Sequence, residues 1–162
     1  MEFSTEEIND LMRKLGYAEF VRLEVPISLQ PTPQQEILNR CVKELKSAED
    51  SLVRGDWKGA INTCRNIIMN YLTEPEDRSK LKGELSDFII NRFPTEGDKE
   101  IYRGILFALG KTLGSNLQHI HKFIKEDTAQ LIRMPLKEDA EYVYLMLIAI
   151  VKYLSSLILT WS

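Results

Sequence analysis

The sequence predicts an all-α fold: an antiparallel bundle of about five helices, preceded by a short N-terminal helix and one β segment. Apolar residues recur every three or four positions through most of the chain after residue 32, which is the period of a helix with one buried face. Most of these runs begin at a capping residue and end at glycine or proline. At 162 residues the chain suits one core. We expect residues 1–31 to form the N-terminal helix and an extended arm, and residues 32–162 to form the bundle.

The N-terminal helix is predicted from its start signal. Ser4-Thr5-Glu6-Glu7 is a capping box, in which the Ser4 hydroxyl and the Glu7 carboxylate each accept a hydrogen bond from the other residue's backbone N–H. Apolar residues then follow at helical spacing as far as Gly16, which ends the pattern.

The β segment is predicted where the period changes from about 3.6 to two. Val21, Leu23, Val25, Ile27 and Leu29 alternate with polar residues and Pro26. Proline cannot donate to a sheet, so the strand from Val21 to Leu29 must be an edge or a lone extended arm. A single strand needs a partner, and the candidates are the same strand of a second copy, a partner protein or an adjoining domain.

Two long helices follow, and they should form a hairpin. Thr32 and Pro33 mark the first start, and Gly55-Asp56 ends one helix and caps the next. Because this link is so short, the two helices must run antiparallel. Their apolar stripes include Cys41 and Cys64, which we expect to be free thiols in the core.

Three further helices complete the predicted bundle. The third carries Leu81, Leu85, Phe88, Ile89 and Phe93, and ends before Pro94. The fourth carries Ile101, Tyr102, Ile105, Leu106, Leu109 and Leu113, with Gly114-Ser115-Asn116 as a turn that ends it. The last runs from about Lys137 to Leu159. It is apolar on most faces, so we expect it at the centre of the bundle.

Composition narrows the classes of function. The formal net charge is −3, so no global positive field draws the chain to nucleic acid. The longest apolar run, residues 143–151, is half the length of a membrane span, and the acidic N-terminus lacks the features of a secretory signal. We expect a cytoplasmic protein without a membrane segment or a cofactor.

Both histidines, His119 and His121, lie in the segment LGSNLQHIHKF. As an enzyme site, His119 would be the general base for a ribose 2′-hydroxyl and Lys111 would stabilise the charge on phosphorus. Ser115 and Asn116 would bind phosphate. The competing interpretation is that both histidines lie half-exposed beyond a turn.

Lys122 and Arg65 are further candidates for phosphate binding. Lys122, beside His121, belongs to a small basic patch that acidic residues follow. Arg65 interrupts an apolar helix face, so it either pairs with Asp139 or Glu141 or faces a phosphate. On a helix, residues two positions apart point in different directions, so His119 and His121 could not share a metal ion there, and we expect no metal site.

One pattern resembles a known family. A helical hairpin with alanine before Gly-Asp-Trp, then alanine and arginine, followed much later by an Asp-Ala helix, resembles the HEPN-like domains of prokaryotic defence and abortive-infection proteins. The residues that carry it are Ala48, Gly55, Asp56, Trp57, Ala60, Arg65, Asp139 and Ala140. The resemblance implies a dimeric helical bundle.

The active members of that family cleave RNA with an arginine followed four to six residues later by a histidine. Here the nearest arginine before His119 is Arg103, sixteen positions away, and Lys111 stands nearer. Two functions follow as hypotheses. The first is a non-enzymatic helical interaction module of a prokaryotic defence or stress system, which forms homodimers and binds a partner. The second is a diverged ribonuclease or RNA-binding domain with its site around Lys111 and His119.

Overall fold

The computed structural model describes Ser4, Glu6 and Glu7, residues 31–124 and residues 135–159. The backbone N–H of Glu7 donates to the Ser4 hydroxyl (3.2 Å), and the backbone N–H of Ser4 donates to the Glu7 carboxylate (2.8 Å). The predicted capping box is therefore confirmed. The rest of the predicted N-terminal helix and the strand predicted at residues 21–29 lie outside the described residues.

The bundle begins at the predicted residue. Helix α1, Pro33–Val53, starts after Thr32. The backbone N–H of Gln35 donates to the Thr32 hydroxyl (3.2 Å), and the Gln35 side chain accepts from the Thr32 N–H (3.0 Å). Both bonds satisfy N–H groups that the first turn of a helix leaves without a partner.

The predicted hairpin between the first two bundle helices is confirmed. After α1, Gly55 adopts a φ of 76°, which favours glycine because a side chain crowds the backbone there. Asp56 then caps helix α2, Trp57–Ile67, by accepting from the N–H of Gly59 at 2.9 Å. Helices α1 and α2 pack against each other along this hairpin.

Helix α2 ends in one turn of π-helix, Ile68–Leu72. Both the N–H (3.0 Å) and the hydroxyl (2.8 Å) of Thr73 donate to the carbonyl of Ile68. The guanidinium of Arg78 donates to the carbonyl of Met69 at 2.6 Å. Thr73 and Arg78 thus donate hydrogen bonds to carbonyl groups that would otherwise lack a partner at the end of the helix.

Residues 73–81, here called the 73–81 loop, close on themselves. Thr73 and Leu81 form an isolated antiparallel β-bridge. At the tip, the carboxylate of Asp77 accepts from the N–H of Ser79 at 3.0 Å and also from its hydroxyl. These bonds hold the pKa of Asp77 below its ordinary value because they stabilise the charged form.

Helix α3, Gly83–Ile90, is shorter than the sequence predicts. Leu81 belongs to the bridge of the 73–81 loop rather than to the helix. Phe93 lies beyond the helix end, where its ring stacks on that of Tyr102 with centroids 3.9 Å apart. Leu81 and Phe93 are both buried. The apolar spacing therefore predicted their burial correctly but overestimated the length of the helix.

The fourth helix is the longest. Helix α4, Glu96–Ile124, has 29 residues and begins after Thr95, whose hydroxyl accepts from the N–H of Asp98 at 3.1 Å. The predicted turn at residues 114–116 is wrong, because α4 continues through it for two further turns. The histidines therefore lie on a helix.

Helix α5, Lys137–Leu159, is the central member of the bundle, as predicted. It packs against α1, α2 and α3. Near its C-terminal end, the carbonyl of Ile158 accepts a hydrogen bond from the guanidinium of Arg92. Its buried apolar residues are Ala140, Val143, Tyr144, Leu147, Ile148, Ile150, Val151, Leu154, Leu157 and Ile158.

Helix α5 is also apolar enough, by length and composition, to cross a membrane. The stretch runs from Lys137 to Ile158 with a mean hydropathy of 1.5, and 56% of its most apolar window is buried inside the bundle. The core helix of a bundle meets the same criterion, because it is surrounded by other helices.

Candidate functional site

Gly110 and Gly114 lie one turn apart on α4, and both face the 73–81 loop. A Cβ atom on Gly110 would lie 2.6 Å from the carbonyl oxygen of Ser79, and one on Gly114 would lie 2.8 Å from that of Arg78. Real Cβ atoms do not approach backbone so closely. The two glycines therefore allow α4 and the loop to meet backbone to backbone.

Three of the predicted site residues meet in one groove. Ser115, Asn116 and His119 lie along α4 and line a cavity of about 520 Å³ between α4 and the start of α5. The amide nitrogen of Asn116 donates to the carbonyl of Thr112 at 2.8 Å. This volume lies within the range of small-ligand sites.

The opposite wall of this groove is acidic. It is formed by Glu138, Asp139, Tyr142 and Val143 of α5. The carboxylate of Asp139 also accepts from the backbone N–H of Leu136 at 2.8 Å. Two carboxylates beside His119 repel a phosphate group, so the groove does not favour an RNA backbone.

Lys111 does not belong to this groove. Its ammonium lies over the ring of Phe107, 5.0 Å from the centroid, one turn towards the start of α4. His119 lies about 12 Å further along the helix in the other direction, at 1.5 Å per residue. The described arrangement therefore keeps apart the two groups that would have to act together on one phosphate.

The remaining basic candidates are also dispersed. His121 is half-buried on the last turns of α4, and on a helix it points about 200° away from His119. Lys122 lies on the same helix, and its side chain is outside the described residues. Among the residues described, no group of three or more histidine, cysteine or acidic side chains could hold a metal ion.

Arg65 lies in the last turn of α2. Its Nε atom is buried and has no hydrogen-bond partner in the described part of the chain. The predicted ion pair with Asp139 or Glu141 is not formed there. Glu141 pairs instead with Lys137, one turn away on α5 (3.5 Å). The helical spacing of α5 supplies a local partner that a sequence argument about long-range pairing overlooks.

Cys41 and Cys64 are free and buried, as predicted. Burial raises the pKa of each thiol to about 12, because the thiolate would lose its hydration inside the core. Neither cysteine is therefore a nucleophile at neutral pH.

The sequence analysis missed one exposed apolar surface. We define the outer face of α4 by Ile101, Gly104, Phe107 and Ala108, all of which are exposed. Ile101 is 60% exposed and Phe107 is 59% exposed, although the sequence analysis placed Ile101 in the core. The sequence does contain a sign of this surface: Gly104 and Ala108 are small residues four positions apart, which places them on the same face of a helix.

Phe107 also borders a second, smaller cavity of about 210 Å³. Its walls are formed by the end of the 73–81 loop, α3 and α4, and include the apolar side chains of Leu81, Ile90 and Leu106. The outer face of α4 thus continues into an apolar recess beside it.

No protein-family model, curated protein or solved structure matches this chain. The resemblance to HEPN-like domains therefore rests on the residues quoted for it. The function has to be argued from the surfaces of the molecule itself.

Proposed function

We propose that this protein is a non-enzymatic helical interaction module that forms homodimers through the outer face of α4. The HEPN-like resemblance is compatible with a dimeric module of a prokaryotic defence or stress system. The strand predicted at residues 21–29 would offer a second contact, to a partner protein or an adjoining domain.

The observation that carries the proposal is the exposure of Ile101 and Phe107 on a helix whose other side is buried. α4 packs on α2 and α3, while Ile101 and Phe107 remain largely exposed, Phe107 at the edge of the cavity that α3 borders. Because Ile101 is 60% and Phe107 59% exposed, burying what remains of each side chain stabilises an association by about 1–2 kcal/mol. A contiguous exposed apolar surface is typical of a protein–protein contact.

The second candidate, an RNA-binding domain or diverged ribonuclease, has one observation in its favour. Ser115, Asn116 and His119 share a groove of suitable volume. Against it stand the distance between His119 and Lys111 and the carboxylates of Glu138 and Asp139 in the same groove. Without a cation near the reacting phosphate, the transition state lacks its main stabilisation.

The test is the mass of the full chain in solution, measured by light scattering from micromolar to millimolar concentration. We expect a monomer–dimer equilibrium that Ile101→Asn shifts to monomer. The matched control is Leu136→Asn, since Leu136 is also apolar and 53% exposed but lies outside α4. A monomer at every concentration, or equal effects of the two variants, would contradict the proposal.

Adding RNA to the same samples tests the second candidate function, RNA binding or cleavage. We expect a short mixed RNA to leave the mass unchanged and to remain intact. RNA binding that weakens as salt rises would indicate phosphate contacts. Cleavage lost in His119→Ala, with an unchanged unfolding curve, would establish the ribonuclease instead.

A further inference from the structure

We infer that the occupant of the outer face of α4 is the α4 helix of a second copy, bound antiparallel around Gly104 and Ala108. This inference rests on the proposed function and specifies the arrangement of its dimer. It is carried by three features: the surroundings of the glycines, the exposed apolar side chains and the order of charges along α4.

The glycines of α4 fall into two groups. Gly110 and Gly114 are explained within the chain, since the backbone of the 73–81 loop lies against them. A Cβ atom on Gly97 or Gly104 would have nothing within 4 Å among the described residues. Glycine in the middle of a helix is less favourable than alanine, so Gly104 destabilises the single chain without a gain in packing.

Close approach of a second helix supplies that gain. Gly97, Gly104, Ala108 and Ser115 lie within about 40° of one line along α4, at 100° per residue. Such small side chains let two helix axes come to the short end of the usual 8–10 Å range. Ile101 and Phe107 stand on either side of this line and would pack against the second helix.

The charges favour an antiparallel pair. Glu100 and Lys111, both exposed, are eleven positions apart, which is three turns plus about 20°. They therefore stand on the same side of the line of small residues. In a two-fold antiparallel pair, equal sides face each other, so Glu100 of one copy meets Lys111 of the partner subunit, twice. In a parallel pair, opposite sides meet, and each position stands level with the same position of the partner helix. Glu100 and Lys111 would then not come together.

Glu100 already accepts from the guanidinium of Arg103 in its own chain at 3.1 Å. Lys111 of the partner subunit would bring a second cation to the same carboxylate. Exposed ion pairs contribute little to affinity, so these charges select the orientation while the apolar contact supplies the affinity. An interface of one helix per copy is small, and we expect a weak, reversible dimer.

Charge reversal tests this arrangement. In Glu100→Lys, each interface contact places lysine opposite Lys111, and in Lys111→Glu it places glutamate opposite Glu100. We expect each variant alone to dissociate at least threefold more readily than the wild type. Mixing the two restores attraction at both contacts, so a heterodimer should form with at least the wild-type affinity. The readout is sedimentation equilibrium of each variant and of their equimolar mixture.

Matched controls carry the same change of charge elsewhere. Glu84→Lys on α3 and Lys152→Glu on α5 both alter exposed positions, and we expect neither to change the dimer or to show rescue on mixing. A dimer that Ile101→Asn disrupts, but that shows no rescue in the mixture, would overturn the antiparallel arrangement and leave the proposed function standing. A wild-type monomer at all concentrations would overturn both.

Discussion

Gly104 and Gly114 occupy one helix but have opposite surroundings, which makes them a matched pair. At Gly104 an added methyl group meets nothing, so Gly104→Ala should raise the free energy of unfolding by roughly 0.5–1 kcal/mol through helix propensity. At Gly114 the same methyl group meets the backbone of Arg78 at 2.8 Å. Gly114→Ala should lower the free energy of unfolding by about 1–3 kcal/mol through overpacking.

Urea unfolding at low protein concentration, where the monomer dominates, measures both effects. Gly110→Ala should resemble Gly114→Ala, because its Cβ atom would lie 2.6 Å from Ser79. If all three alanine variants were stabilised alike, the close contact between α4 and the 73–81 loop would be refuted.

The two core thiols give a prediction about pH. Their pKa is about 12 in the folded protein and about 8.5 in an unfolded chain. Below the unfolded value both states are neutral and the full stability is present. As pH rises from about 8.5 towards 12, only the unfolded chain ionises, so the free energy of unfolding should fall.

Thiol labelling at pH 8 checks the burial behind this prediction. Cys41 and Cys64 should react with a thiol-specific reagent only as fast as the protein unfolds, and at once in concentrated urea. Cys41→Ala and Cys64→Ala assign the signals. Rapid labelling of either cysteine in the native protein would contradict the structure.

At the scale of elements, the end of α2 and the 73–81 loop form one unit that Arg78 connects. Its guanidinium donates to the carbonyl of Met69 and also to the carbonyl of Thr73 at 3.3 Å. Arg78→Ala should lower the free energy of unfolding by about 1–3 kcal/mol, because these carbonyls lose a charged donor.

The control is Arg40→Ala, since Arg40 is exposed on α1; it should change the free energy of unfolding by less than about 0.5 kcal/mol. Thermal or urea unfolding compares the two variants. Equal losses would show that the hydrogen bonds of Arg78 contribute nothing beyond those of a surface arginine.

The elements also show what could be predicted from the sequence. Starts with local chemistry were found to the residue, as at Thr32 and Asp56, because a cap depends on residues three positions away. The turn predicted at Gly114 failed because that glycine serves a contact with residue 78, which is distant in sequence. Apolar spacing at Leu117 and Ile120, both buried, carried the better signal.

The candidate site was harder to predict than the fold. Sequence reasoning grouped Lys111 with His119, and the groove contains only the second. Which residues share a surface depends on the rotation of α4 about its axis, and Gly110 and Gly114 set that rotation through the 73–81 loop. The same rotation leaves Ile101 exposed. The sequence does not show this, because an apolar residue next to the stripe of core residues has the same spacing as the stripe itself.

At the scale of the whole molecule, the two long helices α4 and α5 differ in how much of their surface is packed against other helices. α5 is the central helix, packed against α1, α2 and α3. Within the described residues, α4 packs against α2, α3 and the 73–81 loop and borders a groove with α5, while its outer face is exposed. The described helices share one buried core within a single chain, so we expect folded monomers to exist at low concentration.

The exposed outer face of α4 predicts how thermal stability depends on protein concentration. A ligand that binds only the folded state stabilises it by mass action, and in a dimer the ligand is the second copy. The Tm of the wild type should therefore rise with protein concentration. Ile101→Asn changes an exposed side chain, so its Tm at the lowest concentration should match that of the wild type to within the effect of about 0.5 kcal/mol.

At higher concentration the two proteins should diverge, because only the wild type gains from association. Scanning calorimetry over the same range as the light-scattering measurement provides the comparison. Leu136 lies at the N-cap of α5, where asparagine is favourable, so Leu136→Asn shifts the Tm at every concentration. Its Tm should nevertheless rise with concentration as steeply as that of the wild type, since the outer face of α4 is intact. A difference between Ile101→Asn and the wild type that is already full at the lowest concentration would mean that Ile101 stabilises the single chain, and the outer face would then have no role in association.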